Sequence, residues 1–292
     1  MLMTINLSQC LLSVQQAHEV RICVCLPNRV FDTIIPLLNY SGVHMKIRII
    51  TKYILIGVVT IIFVGFLGML IWSKTGTYPA RMAALSASES TDRVSVTQDK
   101  LIVFTPSEKV DTGLIFYPGG LVEPIAYAPV LHKIAESGVL VIITPMPLNL
   151  AIFNTGAANS VIDNYPGVSN WILAGHSLGG ASAAIFAENN PNTIDALTLW
   201  DSYPADSADL SDNAIPVLSI FGTTNNIPNT ENFNDKKYLL PANTTFFGIE
   251  GANHAQFGDY GPQKGDVAAS ISLIEQHKQV AKITMDFITD LP

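Results

Sequence analysis

The chain has 292 residues, of which 48% are hydrophobic and only 14% are charged, and its formal net charge is −8. That charge is divided unevenly: residues 1–72 carry five Lys and Arg against two Asp and Glu, a net +3, which leaves −11 for residues 73–292. Because the larger part is acidic and would repel polyanions, nucleic-acid binding is excluded as a function.

The first 44 residues show no long helical or strand period, and all three cysteines of the chain lie in them. The rest of the chain therefore has no disulfide, no cysteine metal site and no cysteine nucleophile. Met45 is followed by basic residues and then by an apolar run, which is how a membrane-anchored protein begins. We expect translation to start at Met45 rather than Met1, which would make residues 1–44 a dispensable segment.

An uncharged apolar run extends from Tyr53 to Trp72, which is long enough to cross a bilayer as a helix. It has no polar stripe, unlike a long buried helix, and it exceeds the roughly 7–15 residues of a signal-peptide core. Aromatic residues stand at both of its ends, where they favour the membrane interface. Residues 45–74 are therefore predicted to be a membrane anchor with a basic flank.

The basic residues around this run predict its orientation. Lys46, Arg48 and Lys52 precede it, whereas Lys74 and Arg81 follow it. This excess favours a single-pass protein whose N-terminus is inside and whose large C-terminal domain lies on the non-cytoplasmic side.

After the anchor, residues 75–93 are small and polar and are predicted to be a linker, and residues 94–292 a catalytic domain. Continuous apolar strands alternate with helices in this domain, which predicts an α/β fold with a mostly parallel sheet and helices on both faces. The predicted strands are Val94–Val96, Leu101–Thr105, Gly113–Tyr117, Val139–Thr144, Trp171–Ala174, Ile194–Trp200, Pro216–Phe221 and Thr245–Ile249. The predicted helices are Pro124–Ser137, Ala157–Asn164, Ala181–Glu188 and Ile271–Leu291.

Gly175-His176-Ser177-Leu178-Gly179 fits the pattern G-x-S-x-G, which marks a sharp turn that exposes a nucleophilic serine. The pattern alone is weak, and a plain glycine-rich connection is the alternative. Its context favours the nucleophile, because a predicted strand runs into it and small residues open a helix after it. Ser177 is the predicted nucleophile.

A serine nucleophile needs a base, and histidine is the usual one. Of the six histidines, His18 and His44 precede the apolar run. His132 and His277 are on predicted helices with polar neighbours and are expected to be solvated, while His176 should point away from the Ser177 hydroxyl. His254 follows the last predicted strand, where the chain order nucleophile, acid, histidine requires the base.

An oxyanion hole needs backbone N–H groups that point at the developing negative charge. Leu178, the residue after the nucleophile, should supply one. The turn Tyr117-Pro118-Gly119-Gly120-Leu121 follows the third predicted strand, so Gly120 or Leu121 is the expected second donor. A generic Pro-Gly-Gly turn is the alternative interpretation.

Four separated motifs, at Phe116–Gly120, Ile143–Phe153, Gly175–Ala181 and Gly251–Asp266, occur here in the order of a known family. From about Tyr78 onward the chain resembles small membrane-anchored or exported α/β-hydrolases related to dienelactone hydrolases and carboxylesterases. The resemblance implies the α/β-hydrolase fold and a Ser-His-acid site on Ser177 and His254. It implies no particular substrate.

The acid of the site departs from the family pattern, which has a Gly-Thr-x-Asp turn after the penultimate strand. Here the corresponding position is Asn225, which could orient an imidazole but not stabilise its charge. Asp201 follows the preceding strand, as the acid does in some lipases of this fold, and is the expected acid. Asp206 and Asp259 are further alternatives, and a turn cap is the structural explanation for Asp201.

These features predict a membrane-tethered serine hydrolase that cleaves small carboxylic esters through an acyl-enzyme, without a cofactor or metal. The short segment between Asp201 and Pro216 leaves no room for a helical lid. A lysophospholipase or thioesterase that acts on membrane-derived substrates is one alternative, and a non-catalytic binding domain is another.

Overall fold

The computed structural model describes residues 40–224 and 230–291, with side-chain surroundings for residues 49–224 and 233–291. The predicted N-terminal segment therefore lies almost entirely outside the described residues. By its contacts the chain divides into two units, residues 1–65 and residues 66–292.

Helix α1, Tyr40–Gly76, contains the predicted anchor. Its stretch Ile49–Gly76 has 28 residues, a mean hydropathy of 2.9 over its most apolar window, and no part of that window buried in the protein. A bilayer core needs about 20 apolar residues in a helix, so this helix is a candidate transmembrane segment. Its last turns, residues 66–76, belong to the same unit as the domain that follows.

One sheet of eight strands organises the domain, in the order β1-β2-β4-β3-β5-β6-β7-β8. The first two strands are antiparallel to their neighbours, and all other pairs are parallel. The strands are β1 Val94–Gln98, β2 Ile102–Pro106, β3 Thr112–Tyr117, β4 Leu140–Ile143, β5 Asn170–His176, β6 Ala196–Trp200, β7 Val217–Gly222 and β8 Thr245–Ile249.

Helices cover both faces of the sheet, and each face has its own apolar core. The helices after α1 are α2 Met82–Ala87, α3 Ala128–Glu136, α4 Ala157–Asn164, α5 Leu178–Asn189, α6 Thr230–Asp235 and α7 Leu273–Thr289. Helices α3 and α7 contribute to one core, and α4 and α5 to the other. Since the central strands are buried on both sides, they require the continuous apolar runs that the sequence contains. The predicted α/β-hydrolase architecture is confirmed.

The predicted linker, residues 75–93, is not a solvated tether, because it packs on the domain and contains α2. The Arg81 N–H donates to the carbonyl of Asp259 at 2.8 Å, and the Ala84 N–H donates to its carboxylate at 3.0 Å. The carboxylate thereby satisfies one of the backbone donors that the first turn of a helix leaves unpaired. Asp259, an alternative for the catalytic acid, has a structural contact instead.

The two histidines that were expected to be solvated are buried. His132 on α3 hydrogen-bonds through Nδ1 to the carbonyl oxygen of Ala87 at 2.7 Å. His277 on α7 is 4% exposed. Burial, assisted by the positive charge of Lys133, lowers the pKa of His277 to about 4. Both histidines are buried because α3 and α7 pack against each other. Their polar sequence neighbours gave no indication of this packing.

Acidification is expected to destabilise the fold through His277. Its folded pKa of about 4 lies below the unfolded value of 6.5, so the unfolded chain binds more protons between these values. The free energy of unfolding should fall by about 2 kcal/mol between pH 7 and pH 5 from this group. Urea titrations at pH 7 and pH 5 measure this fall in the free energy of unfolding. His277→Gln should abolish the part that comes from His277, whereas Lys278→Gln, which alters an exposed side chain, should leave the fall unchanged. An unaltered pH dependence in His277→Gln would refute the assignment.

Candidate active site

Ser177 occupies a sharp turn between β5 and α5. Its φ is 53° and its ψ is −123°, a conformation that residues other than glycine rarely adopt. Its N–H donates to the carbonyl of Trp200 on the adjacent strand at 3.1 Å. Strain of this kind persists only where the surrounding structure imposes it, and it is typical of functional sites. The turn lies at the carboxyl end of β5, where ligands bind in open α/β sheets.

The glycines of the motif are required by close backbone contacts. A Cβ on Gly175 would lie 2.5 Å from the carbonyl carbon of Gly179. A Cβ on Gly179 would lie 2.1 Å from the carbonyl oxygen of Tyr117. No side chain fits at either distance, so the sequence pattern G-x-S-x-G is the one that this turn permits.

A buried Asp–His pair lies at the same edge of the sheet. His254 Nδ1 is 2.6 Å from Asp201 Oδ2, and both side chains are 0% exposed. The other carboxylate oxygen, Oδ1, accepts the N–H of Gly222 at 3.0 Å. With Nδ1–H donating to the carboxylate, the imidazole presents Nε2 as an acceptor. That nitrogen is buried and has no hydrogen-bond partner in the part of the chain that the structure describes.

Contacts on both sides of Ser177 bring this pair beside the turn. The ring of His176 lies 4.4 Å from the ring of His254, measured between centroids. The hydroxyl of Ser202, which follows Asp201, donates to the carbonyl of Ser177 at 2.6 Å. The three residues predicted to form the catalytic site therefore gather at the carboxyl ends of β5, β6 and β8.

Two of the residues predicted to be oxyanion donors have backbone N–H groups that are not otherwise used within the described residues. A Cβ on Gly120 would lie 3.0 Å from Leu178 Cδ2, so the two loops are in contact. Among the described residues, the N–H groups of Gly120 and Leu178 have no hydrogen-bond partner. The N–H of Leu121 donates to the carbonyl of Asn149 at 2.7 Å and is already used. Of the two alternatives for the second donor, the geometry favours Gly120 over Leu121.

Tyr127 joins the Gly119–Gly120 loop to the turn at Ser177, a role that sequence reasoning missed. Its hydroxyl accepts the N–H of Gly119 at 3.0 Å and lies 2.8 Å from His176 Nδ1. Burial raises the pKa of Tyr127 far above its usual range, so the hydroxyl stays protonated. It donates a hydrogen bond to the imidazole of His176. Burial and the nearby His254 lower the pKa of His176, which stays neutral and able to accept. Nothing in the sequence marks this hydroxyl.

Tyr127→Phe is expected to lower the free energy of unfolding by about 3 kcal/mol. The change removes one oxygen and leaves two buried groups unpaired, at about 1–3 kcal/mol each. Urea denaturation measures the loss, and Tyr238→Phe is the matched control, because the Tyr238 side chain is exposed and its substitution should cost less than about 0.5 kcal/mol. Equal stability of the two variants would contradict the hydrogen-bond network.

The other residues considered for the catalytic acid have no described contact with His254. Asp206 is exposed and pairs with Lys236. Asp259 contacts α2, as described above. Asn225 lies outside the described residues. Asp201 is thus the one of these acidic side chains that the structure brings to His254.

Ser177, Asp201 and His254 line neither of two cavities in the described part of the chain. One of about 420 Å³ opens at the opposite end of the sheet, between the starts of β7 and β8 and helix α7. Another, of about 260 Å³, lies beside α2 and the loop that follows β8. Within residues 40–224 and 230–291, no cluster of His, Cys, Asp and Glu is arranged to hold a metal ion.

Comparisons with known proteins agree with this fold. An MGS-MChE2 α/β-hydrolase enzyme from the metagenome of lagoon sediments at Mar Chica, Morocco, is 19% identical, with a TM-score of 0.52 over 68% of this chain and 99% of that one. Carboxylesterase CesB from Bacillus subtilis is 13% identical, with a TM-score of 0.51 over 70% of this chain and 94% of that one. Est1E from Butyrivibrio proteoclasticus is 15% identical, with a TM-score of 0.50 over 68% and 100%.

No curated protein matches the sequence. A sequence model of the alpha/beta hydrolase family, however, matches residues 113–278, which is more than half of the chain. The matched region runs from β3 into α7 and contains the turn at Ser177, the buried pair and the two free N–H donors. The chain belongs to the alpha/beta hydrolase family.

Proposed function

We propose that this hydrolase is a membrane-tethered serine esterase that cleaves carboxylic esters through an acyl-enzyme. One observation carries the proposal: the ring of His254 in the buried Asp201–His254 pair lies 4.4 Å, between centroids, from the ring of His176, which precedes Ser177 in the turn where this fold exposes a nucleophile. A buried carboxylate on Nδ1 fixes the imidazole tautomer whose Nε2 can accept a proton.

In the proposed reaction, Ser177 Oγ attacks the ester carbonyl carbon while His254 Nε2 takes the hydroxyl proton. The carbonyl π electrons move to oxygen, and the N–H groups of Leu178 and Gly120 hold that charge together with the N-terminus of α5. The intermediate collapses, and the alkoxide leaves with the proton from Nε2. Water then attacks the acyl-serine by the same route and releases the carboxylic acid.

The membrane tether rests on α1, whose exposed apolar length suits a single span. Lys46, Arg48 and Lys52 precede the apolar run, which favours a domain on the non-cytoplasmic side. A site without a helical lid is open to small esters and to single-chain esters. Residues 201–216, all of them described, contain no helix between β6 and β7.

A fluorophosphonate probe tests the chemistry. It should label the full-length protein at Ser177, as located by mass spectrometry of the labelled peptide, because it reacts with serines activated by a neighbouring base. Labelling should vanish in Ser177→Ala and persist in Ser160→Ala, which alters an exposed serine on α4. A folded protein that takes no label would favour the alternative of a non-catalytic binding domain.

A further inference from the structure

The end of the apolar helix is hydrogen-bonded to the domain. Ser73 follows Trp72 and is 4% exposed. Its hydroxyl donates to the carbonyl of Leu148 at 2.7 Å. Asn149 Nδ2 donates to the hydroxyl of Thr77 at 2.9 Å, and that hydroxyl donates to the carbonyl of Ser73 at 2.7 Å. Two hydrogen bonds therefore hold the helix end against the loop Pro147–Asn149, and the bond between Thr77 and Ser73 links them.

This loop is bonded in turn to the proposed oxyanion loop. The carbonyl of Asn149 accepts the N–H of Leu121 at 2.7 Å, and Leu121 follows Gly120. Along bonds of standard length and these hydrogen bonds, the path from the Ser73 hydroxyl to the Gly120 nitrogen is about 16 Å. The straight-line separation is shorter than this path. The catalytic site thus lies close to the end of the helix.

Large apolar side chains are exposed beside the same loop. Ile152 and Phe153, on the short helix Ala151–Asn154, are 46% and 55% exposed. Trp72 is 53% exposed at the end of α1. Aromatic and branched apolar side chains favour the interfacial region of a bilayer. We name Ile152 and Phe153 the apolar rim.

We propose that the catalytic site opens at the membrane surface and that its substrates are single-chain amphiphilic esters in the membrane that holds the anchor. This inference rests on the proposed function and narrows its substrate class to that of a lysophospholipase. The ester of such a lipid lies at headgroup level, where the apolar rim and Trp72 would enter the interface. The net charge of −11 on residues 73–292 disfavours anionic headgroups, so the headgroup is neutral or zwitterionic.

The rim is not part of the catalytic machinery, so substitutions there separate access from chemistry. The full chain is reconstituted in phosphatidylcholine vesicles that contain palmitoyl lysophosphatidylcholine, and hydrolysis of this lipid is compared with that of soluble p-nitrophenyl acetate. The double variant Ile152→Ser/Phe153→Ser should hydrolyse the lipid about tenfold more slowly, because two apolar side chains no longer enter the interface. Hydrolysis of the soluble ester should be unchanged.

A matched control is Tyr238→Ser/Ile274→Ser, which alters two exposed apolar side chains elsewhere and should leave both rates unchanged. A flexible Gly-Ser insertion between Gly76 and Thr77, combined with Ser73→Ala to remove the hydrogen bond to Leu148, keeps the anchor but releases it from the loop, and it should also slow lipid hydrolysis alone. Soluble esterase activity without lipid hydrolysis, or equal lipid rates in rim and control variants, would overturn this inference and leave the proposed function standing. If the unaltered protein hydrolyses neither substrate and takes no fluorophosphonate label, both this inference and the proposed function would be overturned.

Discussion

Ser177→Ala is expected to lower kcat for ester hydrolysis about a million-fold, to the level that the oxyanion donors and binding alone provide. The change removes the attacking oxygen and nothing else of the site. KM should change only a few-fold, because the carbonyl still meets Leu178 and Gly120. The measurement is steady-state hydrolysis of p-nitrophenyl acetate by purified variants. Alanine keeps the Cβ at φ 53°, so the free energy of unfolding should be unaltered within about 0.5 kcal/mol.

His254→Ala provides the internal control for this expectation. Nucleophile and base act as one unit, so His254→Ala should cost nearly as much as Ser177→Ala, and the double variant little more than either. Additive losses would indicate that the two residues work separately. Activity of Ser177→Ala above about a thousandth of the unaltered rate would point to another nucleophile.

Elements with strong local signals were predictable from the sequence. Helix α4 has the predicted bounds, and β5 extends the predicted strand by one residue at its start and two at its end. Their apolar runs and flanking small residues leave few other conformations. Helix α2 has only six residues, and the N–H groups at its start donate hydrogen bonds to Asp259, which is far away in the sequence. No local pattern could have predicted it.

The identity of the acid could not be decided from local sequence either. Asp201 and Asn225 both follow strands that precede His254, and either could have met its imidazole. The outcome depends on backbone geometry: Asp201 has a φ of 45° and its carboxylate accepts the N–H of Gly222 on the intervening strand. Such a conformation is set by the assembled sheet. The bond between Ser73 and Leu148, 75 positions apart, was equally beyond sequence reasoning.

Asp201→Asn is expected to lower kcat about ten-thousandfold with little loss of stability. The amide oxygen can still accept the N–H of Gly222, so the turn keeps its bond. The amide NH₂ facing His254 Nδ1 would instead favour the tautomer that carries its proton on Nε2, which cannot accept a proton from Ser177. The stabilising charge beside the imidazolium is lost as well, and comparable substitutions in serine proteases cost about 10⁴.

Asn225→Ala is the matched control for this variant, because it removes the side chain at the position where the family pattern has its acid. If Asp201 performs that role, Asn225→Ala should retain activity within a few-fold of the unaltered protein. Urea denaturation of both variants separates lost chemistry from lost folding. Since Asp201 is buried, Asp201→Ala would leave at least two donors of the described residues, the N–H groups of Gly222 and His254 Nδ1, unpaired and confuse the two effects, which is why asparagine is the informative change. Full activity in Asp201→Asn together with a large loss in Asn225→Ala would transfer to Asn225 the role of orienting His254.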